Sequence, residues 1–454
     1  MASAVGVALM MLGWWHVGLF ALIAGWLTLA ATDRRWLTIC LIGTVPLTTF
    51  GWTVEVMTIS GRVLDVRLVV TFAVAGISAI SLLIARSRPT PTEIVFALLI
   101  GWAIVSGLLA ADSVLTWGPP VARLVTYAAV FGLARRHLVQ PGDLRLAMAV
   151  VAIAFVIPTT AGLVTYVLGA AEVINDATRA TTPGGRGPIS LAFAGQVALA
   201  LGFALHATGR SPGRVGSSWL AVALVGAAGL LASATRLVTV TAWLVVAGFA
   251  ALRGRWRTAA VITVLFAGAF LARPDLLGRF IGTVAEPTPS QGIVEPGDQG
   301  SDVELDASAR FRIFVWGAIL DEWSASPITG IGPGMTARIV AERSTAERAA
   351  PHNDYIGVFA ELSFTGLALF LVLQGLVIKE LVGRIRREPD RRRRDEVLMT
   401  VMVFGGVNVL GALNNPMYFF DLQVAIWALT GAASFASPAD NRSPRSTPGI
   451  PGAG

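Results

Sequence analysis

The sequence predicts an all-α fold: a polytopic transmembrane helical bundle with one long loop outside the membrane. Of the 454 residues, 54% are hydrophobic and 14% are charged, and the mean hydropathy is +0.68. A soluble domain carries charge on about a quarter of its residues. Apolar runs recur along the chain, each near the length of about 20 residues that an α-helix needs to cross a bilayer. Lipid is therefore the solvent for most of this chain.

The apolar runs are predicted to be helices, because only helices or closed barrels satisfy every backbone group within hydrocarbon. Barrel strands would alternate polar and apolar residues, which these runs do not. Residues 1–31 have no basic residue before their apolar stretch, so we expect a membrane anchor of one or two helices and no cleaved signal peptide. With it, about 12–14 spans are expected. The others are placed near 36–52, 67–85, 92–111, 119–134, 144–170, 188–207, 218–233, 237–252, 258–272, 356–378, 397–413 and 419–436.

Basic residues cluster in the short links between these spans. Examples are Arg34-Arg35, Arg135-Arg136 and the run 391–394. The positive-inside rule places such links in the cytoplasm. The formal charge of +7 therefore indicates topology and not nucleic-acid binding. We expect a multi-pass protein of the cytoplasmic (inner) membrane with its one long loop, 273–355, on the outer or periplasmic side.

This threading divides the chain into four parts. Residues 1–272 form N-terminal transmembrane helices, and 273–355 form the extracytoplasmic loop. Residues 356–437 form C-terminal transmembrane helices. The tail 438–454 is rich in Pro, Ser, Gly and Arg, a composition typical of disorder.

The outer loop has its own internal pattern. Residues 286–306 are rich in Pro, Gly, Ser and acids, so we expect a mobile stretch. Apolar residues at helical spacing over 307–323 predict an amphipathic helix that lies on the membrane surface. The glycines of 330–334 then predict a turn before a second short helix, 335–349. No strand precedes this turn, and its spacing fits neither the dinucleotide fingerprint nor the P-loop.

His352 is the histidine of the outer loop, and it lies where the chain re-enters the membrane. An imidazole has an ordinary pKa of about 6.5, so it can accept a proton near neutral pH. His352 is therefore a candidate general base. The alternative interpretation is an interfacial histidine that only hydrogen-bonds a helix end.

Four arginines fall on the outer side at span boundaries, where the positive-inside rule does not expect them: Arg186, Arg236, Arg310 and Arg312. The planar guanidinium makes bidentate hydrogen bonds and stays charged, which suits diphosphate binding. The alternative is that these side chains snorkel to the interface. Glu361 lies inside the span after His352, and a carboxylate there needs a partner such as an arginine.

Other chemistries are poorly supported. Cys40 is the single cysteine and lies in an apolar run, so neither a disulfide nor a thiolate zinc cluster is expected. The outer acids have no histidine at metal-ligand spacing. We therefore predict no metal and no cofactor. Arg123 and Asp421 lie near span ends, where interface placement and helix capping explain them.

Short motifs around the outer loop resemble, in the same order, those of the O-antigen ligase and O-antigen polymerase family of bacterial polytopic membrane glycosyltransferases. Thr235-Arg236 resembles a Ser-Arg pair of the family at an earlier span boundary, and Arg186 falls where another family arginine precedes a span. Two departures are Ser363, where the family usually has Gly, and the absence of Pro-Asn near Arg186. The loop motifs are Arg312-Ile-Phe-Val-Trp316, Ser326-Pro327, Gly330-Ile-Gly-Pro-Gly334, His352-Asn353-Asp-Tyr355 and Glu361-Leu-Ser-Phe-Thr-Gly366.

The resemblance implies a GT-C-like membrane enzyme of cell-envelope polysaccharide biosynthesis. Its donor would be a glycan on a polyprenyl diphosphate such as undecaprenyl diphosphate, and its acceptor a hydroxyl of a glycan, lipid or protein. Transfer would be inverting and metal-independent, at the outer face of the membrane. Membrane lipids are the other partners, and nucleic acid is not expected.

The resemblance also implies the roles of individual residues. His352 would be the general base, while Arg186, Arg236 and Arg312, with Arg310 as a substitute for Arg312, would hold the diphosphate. The supporting residues would be Asn353, Tyr355 and Glu361. Two alternatives from other classes are a transporter or flippase of an anionic or lipid-linked substrate, and a non-catalytic membrane scaffold.

Overall fold

A computed structural model describes residues 15–48, 55–59, 62–84, 88–169, 172–174, 177–179, 187–209, 214–272, 307–343 and 351–435. Within these residues, ten helices precede the outer loop: α1 Trp15–Thr32, α2 Arg34–Thr48, α3 Val66–Ile84, α4 Pro91–Ala110, α5 Val114–His137, α6 Asp143–Val167, α7 Gly187–Ala207, α8 Arg214–Ser233, α9 Arg236–Leu252 and α10 Trp256–Leu271. Those that follow are α11 Ala307–Ser324, α12 Met335–Arg343, α13 Asp354–Arg387, α14 Arg391–Gly411 and α15 Phe420–Ser434, with a 3₁₀ turn at Pro416–Tyr418.

The prediction of an all-α polytopic bundle is confirmed. Each of the twelve apolar segments placed after residue 31 coincides with one helix, and the first segment contains α1. Helix starts follow local capping chemistry: the side chain of Thr90 accepts from the backbone of Glu93, and the side chain of Glu93 accepts from that of Thr90. The expected mobile stretch 286–306 and the tail 438–454 lie outside the described residues.

Several helices are long and apolar enough to cross a membrane, by length and composition. In the described part of the chain these are Pro91–Ala110, Asp143–Val167, Pro188–Ala207 and Asp354–Arg387. Five shorter apolar helices accompany them. The chain is a membrane protein.

In the part of the chain that the structure describes, two β-hairpins that the sequence did not predict interrupt the helical pattern. In one, β1 Glu55–Ile59 pairs antiparallel with β2 Arg62–Asp65, and in the other β3 Glu172–Ile174 pairs with β4 Ala177–Arg179. Each hairpin links two helices at the end of the bundle opposite the basic links. We call these two ends the site end and the basic end.

Close helix packing depends on small residues. A Cβ atom on Gly226 of α8 would lie 2.4 Å from the backbone nitrogen of Leu199 on α7. Membrane helices use such glycines to bring their backbones together. Helix α15 lies at the centre of the bundle, because every one of its residues is buried. The loop before α15, at the site end, is therefore anchored by the most enclosed helix.

Ion pairs tie the helices together at the basic end. A charge near the membrane is costly unless it has a partner, and these arginines have carboxylates from other helices. From the sequence, these basic residues were interpreted only as topology signals. The pairs are Arg35–Asp143 at 2.6 Å, Arg135–Glu380 at 2.5 Å, Arg136–Glu93 at 2.5 Å, Arg145–Glu396 at 3.1 Å and Arg253–Asp395 at 2.7 Å.

The helix predicted over 307–323 is present as α11. Val315 and Ile319 are buried in a small core with Val340 of α12 and Ala360 of α13. Part of the helical periodicity therefore comes from packing against protein, because periodicity alone does not distinguish a protein contact from a lipid contact. The placement of this helix on the membrane surface stays a prediction.

The topology predicts opposite accessibility for the two ends. In a Cys40→Ser background, cysteine at Ile328, which is 78% exposed at the site end, should react with an impermeant maleimide in intact cells. Cysteine at Arg386, exposed at the basic end, should react only after permeabilisation. The reverse pattern would invert the orientation and move the candidate site to the cytoplasm.

Candidate active site

Helix α13 is broken near the site end. Ser363 has φ 58° and ψ −165°, so the helix leaves regular geometry there and its preceding carbonyls lose their partners in the same helix. Other donors replace them. The carbonyl of Glu361 accepts from Ser106 at 2.9 Å, and that of Leu362 accepts from the indole of Trp102 at 2.7 Å. Helix α4 thus supports the break.

The glycine-rich turn 330–334 supplies the remaining donors. The backbone N–H of Ile331 donates to the Ala360 carbonyl at 2.9 Å, and that of Gly332 donates to Glu361 at 3.1 Å. Gly330, Gly332 and Gly334 have φ values of 78°, 93° and 82°, which residues with a Cβ atom rarely adopt. The prediction of a turn here is confirmed.

The carboxylate of Glu361 is held by the start of α12. One oxygen accepts from the backbone N–H of Thr336 at 3.3 Å and from the Thr336 hydroxyl. The backbone of Gly334 also donates to this carboxylate. A helix N-terminus favours negative charge, and this one satisfies Glu361 largely without an arginine. The expected arginine partner is replaced by these donors, and the charge of Arg123 acts only as an electrostatic neighbour.

His352 stands at the entrance to α13. Its φ of 52° is rare for a residue with a side chain, although histidine tolerates it better than most. The preceding carbonyl, of Pro351, accepts from the indole of Trp316 at 2.6 Å. The following residue, Asn353, caps α13 by accepting from the backbone of Tyr355 and Ile356. His352 is thus held on both sides.

Three neighbours set the chemistry of the imidazole. The ring of Phe311 packs edge-on against it, with 6.4 Å between centroids. Burial, followed by the nearby charge of Arg312, lowers the pKa of His352 from its ordinary 6.5, and a hydrogen bond with the Asn414 side chain opposes that shift. The imidazole is therefore neutral at physiological pH, as a general base requires.

The segment between α14 and α15 holds Asn414 in place. Asn414 is 5% exposed and accepts from the backbone of Asn415 at 3.0 Å. The backbone N–H of Met417 donates to the buried carboxylate of Asp354 at 3.1 Å. The hydroxyl oxygen of Tyr418 lies 3.1 Å from the hydroxyl oxygen of Thr336. This segment joins the start of α13 to the start of α12.

Arg236 approaches the site from α9. Gly406 of α14 packs on Val245 of α9, and Gly248 of α9 packs on Met402 of α14, so the two helices run antiparallel. That register carries Arg236, the first residue of α9, to the level of Asn414 at the site end. Arg236 is half-buried there.

The predicted site residues divide into three groups. His352 and Arg312 are neighbours, and Arg236 lies at the same end. Arg186 lies outside the described residues, and Arg310 is described only as part of α11, without its side chain. Asn353 and Tyr355 are structural: the first caps α13, and the second donates to the Asn408 carbonyl at 3.0 Å.

Sequence reasoning missed Asn414, Thr336 and the position of Arg123. The signal for Asn414 was available, because Asn414-Asn415 is a polar pair between two apolar runs at the site end. Within the described part of the chain, no three His, Cys, Asp or Glu side chains form a group that could hold a metal ion. Metal independence stays a prediction.

Residues 220–371 match the family model described as O-antigen ligase. The matched range contains Arg236, Arg312, His352 and Glu361, so the resemblance is confirmed over the residues that carry the candidate site. It supports an O-antigen ligase-like glycosyltransferase that acts with a lipid-linked glycan and an acceptor. A comparison with curated proteins finds no match to the chain.

The turn should not tolerate a side chain at Gly330. A Cβ atom there would lie 2.4 Å from the Glu361 carbonyl oxygen, and its φ of 78° adds strain of about 1–3 kcal/mol. Gly330→Ala should therefore lower the Tm of the purified protein and its activity. Gly317→Ala is the control, because its Cβ would meet nothing within 4 Å. Equal Tm values for the two variants would contradict the close contact.

Proposed function

We propose that this O-antigen ligase-like chain is a metal-independent, inverting glycosyltransferase at the outer face of the cytoplasmic membrane. It moves a glycan from a polyprenyl diphosphate to an acceptor hydroxyl on a glycan, lipid or protein. The observation that carries the proposal is the juxtaposition of a neutral His352 with the cationic Arg312 at the site end. A base beside a guanidinium suits attack by a hydroxyl on a sugar C1 atom that carries a diphosphate leaving group.

The reaction is a single displacement at the sugar C1 atom. His352 accepts the proton of the acceptor hydroxyl while the oxygen forms a bond to C1. The bond from C1 to the diphosphate oxygen breaks, and its electron pair leaves with the lipid diphosphate. Because the acceptor attacks from the opposite face, the configuration at C1 inverts. A diphosphate is a good leaving group, so no general acid is needed.

The arginines act on the leaving group. Arg312 on α11 and Arg236 on α9 are both half-buried, and the two helices are far apart along the chain. A guanidinium offers two parallel N–H donors to adjacent phosphate oxygens. It stabilises the charge that the diphosphate gains as the bond breaks. Arg186 and Arg310 are proposed to complete this set.

Glu361, Asn353 and Tyr355 support the site. Glu361 links α12 to the broken part of α13, while Asn353 and Tyr355 fix the first turn of α13 behind His352. A distortion of this turn would displace the base from the hydroxyl. Their role is therefore positional.

A transporter or flippase is the second candidate. The break in α13 favours it, because many transporters bind substrates at broken helices. Against it, the carbonyls of Ala360, Glu361 and Leu362 already accept protein hydrogen bonds, so they are not free to coordinate a transported ion. The histidine at the entrance to α13 also has no evident role in transport. The glycosyltransferase is the better explanation.

Removal of the base should slow the chemical step but preserve the affinity for the donor. His352→Ala should lower kcat by about 10²–10⁴-fold, the range of general-base catalysis, with little change in donor binding. Arg312→Ala and Arg236→Ala should weaken donor binding and turnover together, and lysine should restore only part of each. The measurement is glycan transfer by purified protein from a lipid-diphosphate donor.

The matched control for these variants is Arg338→Ala. Arg338 lies on α12 at the same end, is exposed and pairs with Asp112 and Glu342, so its loss should change transfer little. Normal transfer by His352→Ala would remove the base assignment. Normal transfer by all three site variants would favour the transporter.

The pH profile should follow the environment of His352. The base works when neutral, so kcat/KM should fall on the acid side as pH drops through a pKa below 6.5. The Asn414 hydrogen bond favours the protonated imidazole, so Asn414→Ala should move the acid limb to lower pH. Asn414→Asp adds a negative charge and should move it to higher pH. An acid limb that stays in place in both variants would exclude this contact or His352 as the titrating group.

A further inference from the structure

Arg123 lies on α5, the helix on which the glycine-rich turn packs. A Cβ atom on Gly334 would lie 2.7 Å from the Thr116 carbonyl oxygen and 3.2 Å from Pro120, about two turns and one turn nearer the site end than Arg123. Its side chain is half-buried. Arg123 therefore lies within α5, away from the start of the helix at Val114.

The surroundings of Arg123 do not neutralise it by direct contact. The carboxylate of Glu361 lies within electrostatic range, as do the hydroxyls of Tyr127 and Tyr418. Among the residues that the structure describes, however, no carboxylate lies within 4.0 Å of the Arg123 guanidinium. Glu361 is already bound by the hydroxyl and backbone of Thr336 and by the backbone of Gly334.

A charged side chain within a membrane span is costly and usually serves a ligand or a counter-charge. At the basic end, direct carboxylate pairs meet that cost, as for Arg135 and Arg136. At Arg123, the donors that occupy Glu361 leave the guanidinium fork available for another anion.

We propose that Arg123 forms a second anion-binding site, beneath the glycine-rich turn, for a phosphate or carboxylate group of the substrate. The proposal rests on the proposed function and extends it, because it adds a binding residue from the N-terminal helices, outside the range that matches the family. The anion is either the diphosphate of the donor or an acidic group of the acceptor.

Binding experiments on the full-length protein in nanodiscs can separate these sources. Isothermal titration calorimetry would use geranylgeranyl diphosphate as the donor probe, its uncharged alcohol as the reference, and glucuronate as the acidic-acceptor probe. Arg123→Gln should weaken the binding of one of the anionic probes by about 10- to 100-fold, which corresponds to the loss of a charge-assisted hydrogen bond. Arg123→Lys should weaken it less, and binding of the alcohol should not change.

The double variant Arg123→Gln, Glu361→Gln tests the counter-charge explanation. If Arg123 only balances Glu361, neutralising both should restore the affinity of the unmodified protein. If Arg123 binds the substrate, the double variant should bind the anionic probe as weakly as Arg123→Gln does. Arg338→Gln, on the exposed face of α12, is the matched control and should bind both probes normally.

The outcomes identify the source of the anion and test this inference separately from the proposed function. Weaker diphosphate binding assigns Arg123 to the donor, and weaker glucuronate binding assigns it to the acceptor. Unchanged binding of both probes in Arg123→Gln, or recovery in the double variant, would overturn this inference. If Arg312→Gln weakens diphosphate binding in the same assay, the proposed function survives that result. Failure of the unmodified protein to bind either anion would overturn both.

Discussion

The break in α13 is the constraint on which the rest of the site depends. Within hydrocarbon, every backbone carbonyl needs a donor, because water is absent. Ser363 takes three carbonyls out of the helical pattern, and these must accept from elsewhere. The donors come from the glycine-rich turn and from Ser106 and Trp102 of α4. The hydrogen bonds therefore fix the outer segment against the bundle at one defined place.

The contacts around this break also position the residues of the candidate site. The turn leads directly into α12, whose N-terminus binds the carboxylate of Glu361. Thr336 then contacts Tyr418, and the backbone next to Tyr418 binds Asp354 at the start of α13. A closed chain of contacts thus joins the outer helix, the broken span and the loop after α14. His352 is positioned by these contacts, because Asn353 follows it at the start of α13 and the Asn414 side chain forms a hydrogen bond with it.

The two ends of the bundle are stabilised by different interactions. At the basic end, carboxylates on separate helices pair directly with arginines, and the pairs hold the helix ends together. At the site end, backbone hydrogen bonds, glycine contacts and a buried carboxylate perform that task. At the site end, burial and the charge of Arg312 both disfavour the imidazolium form of His352.

The sequence by itself determined which segments of the chain are helices. Apolar run length and basic links are local properties, and the helical rise per residue converts them directly into spans. His352, Arg236 and Arg312 were found because their chemistry is unusual at span boundaries. Only the tertiary structure decided that Asn414 contacts His352, that backbone donors satisfy Glu361, and that Arg123 lies beneath the turn. Those contacts depend on how distant helices rotate and cross, which no local pattern specifies.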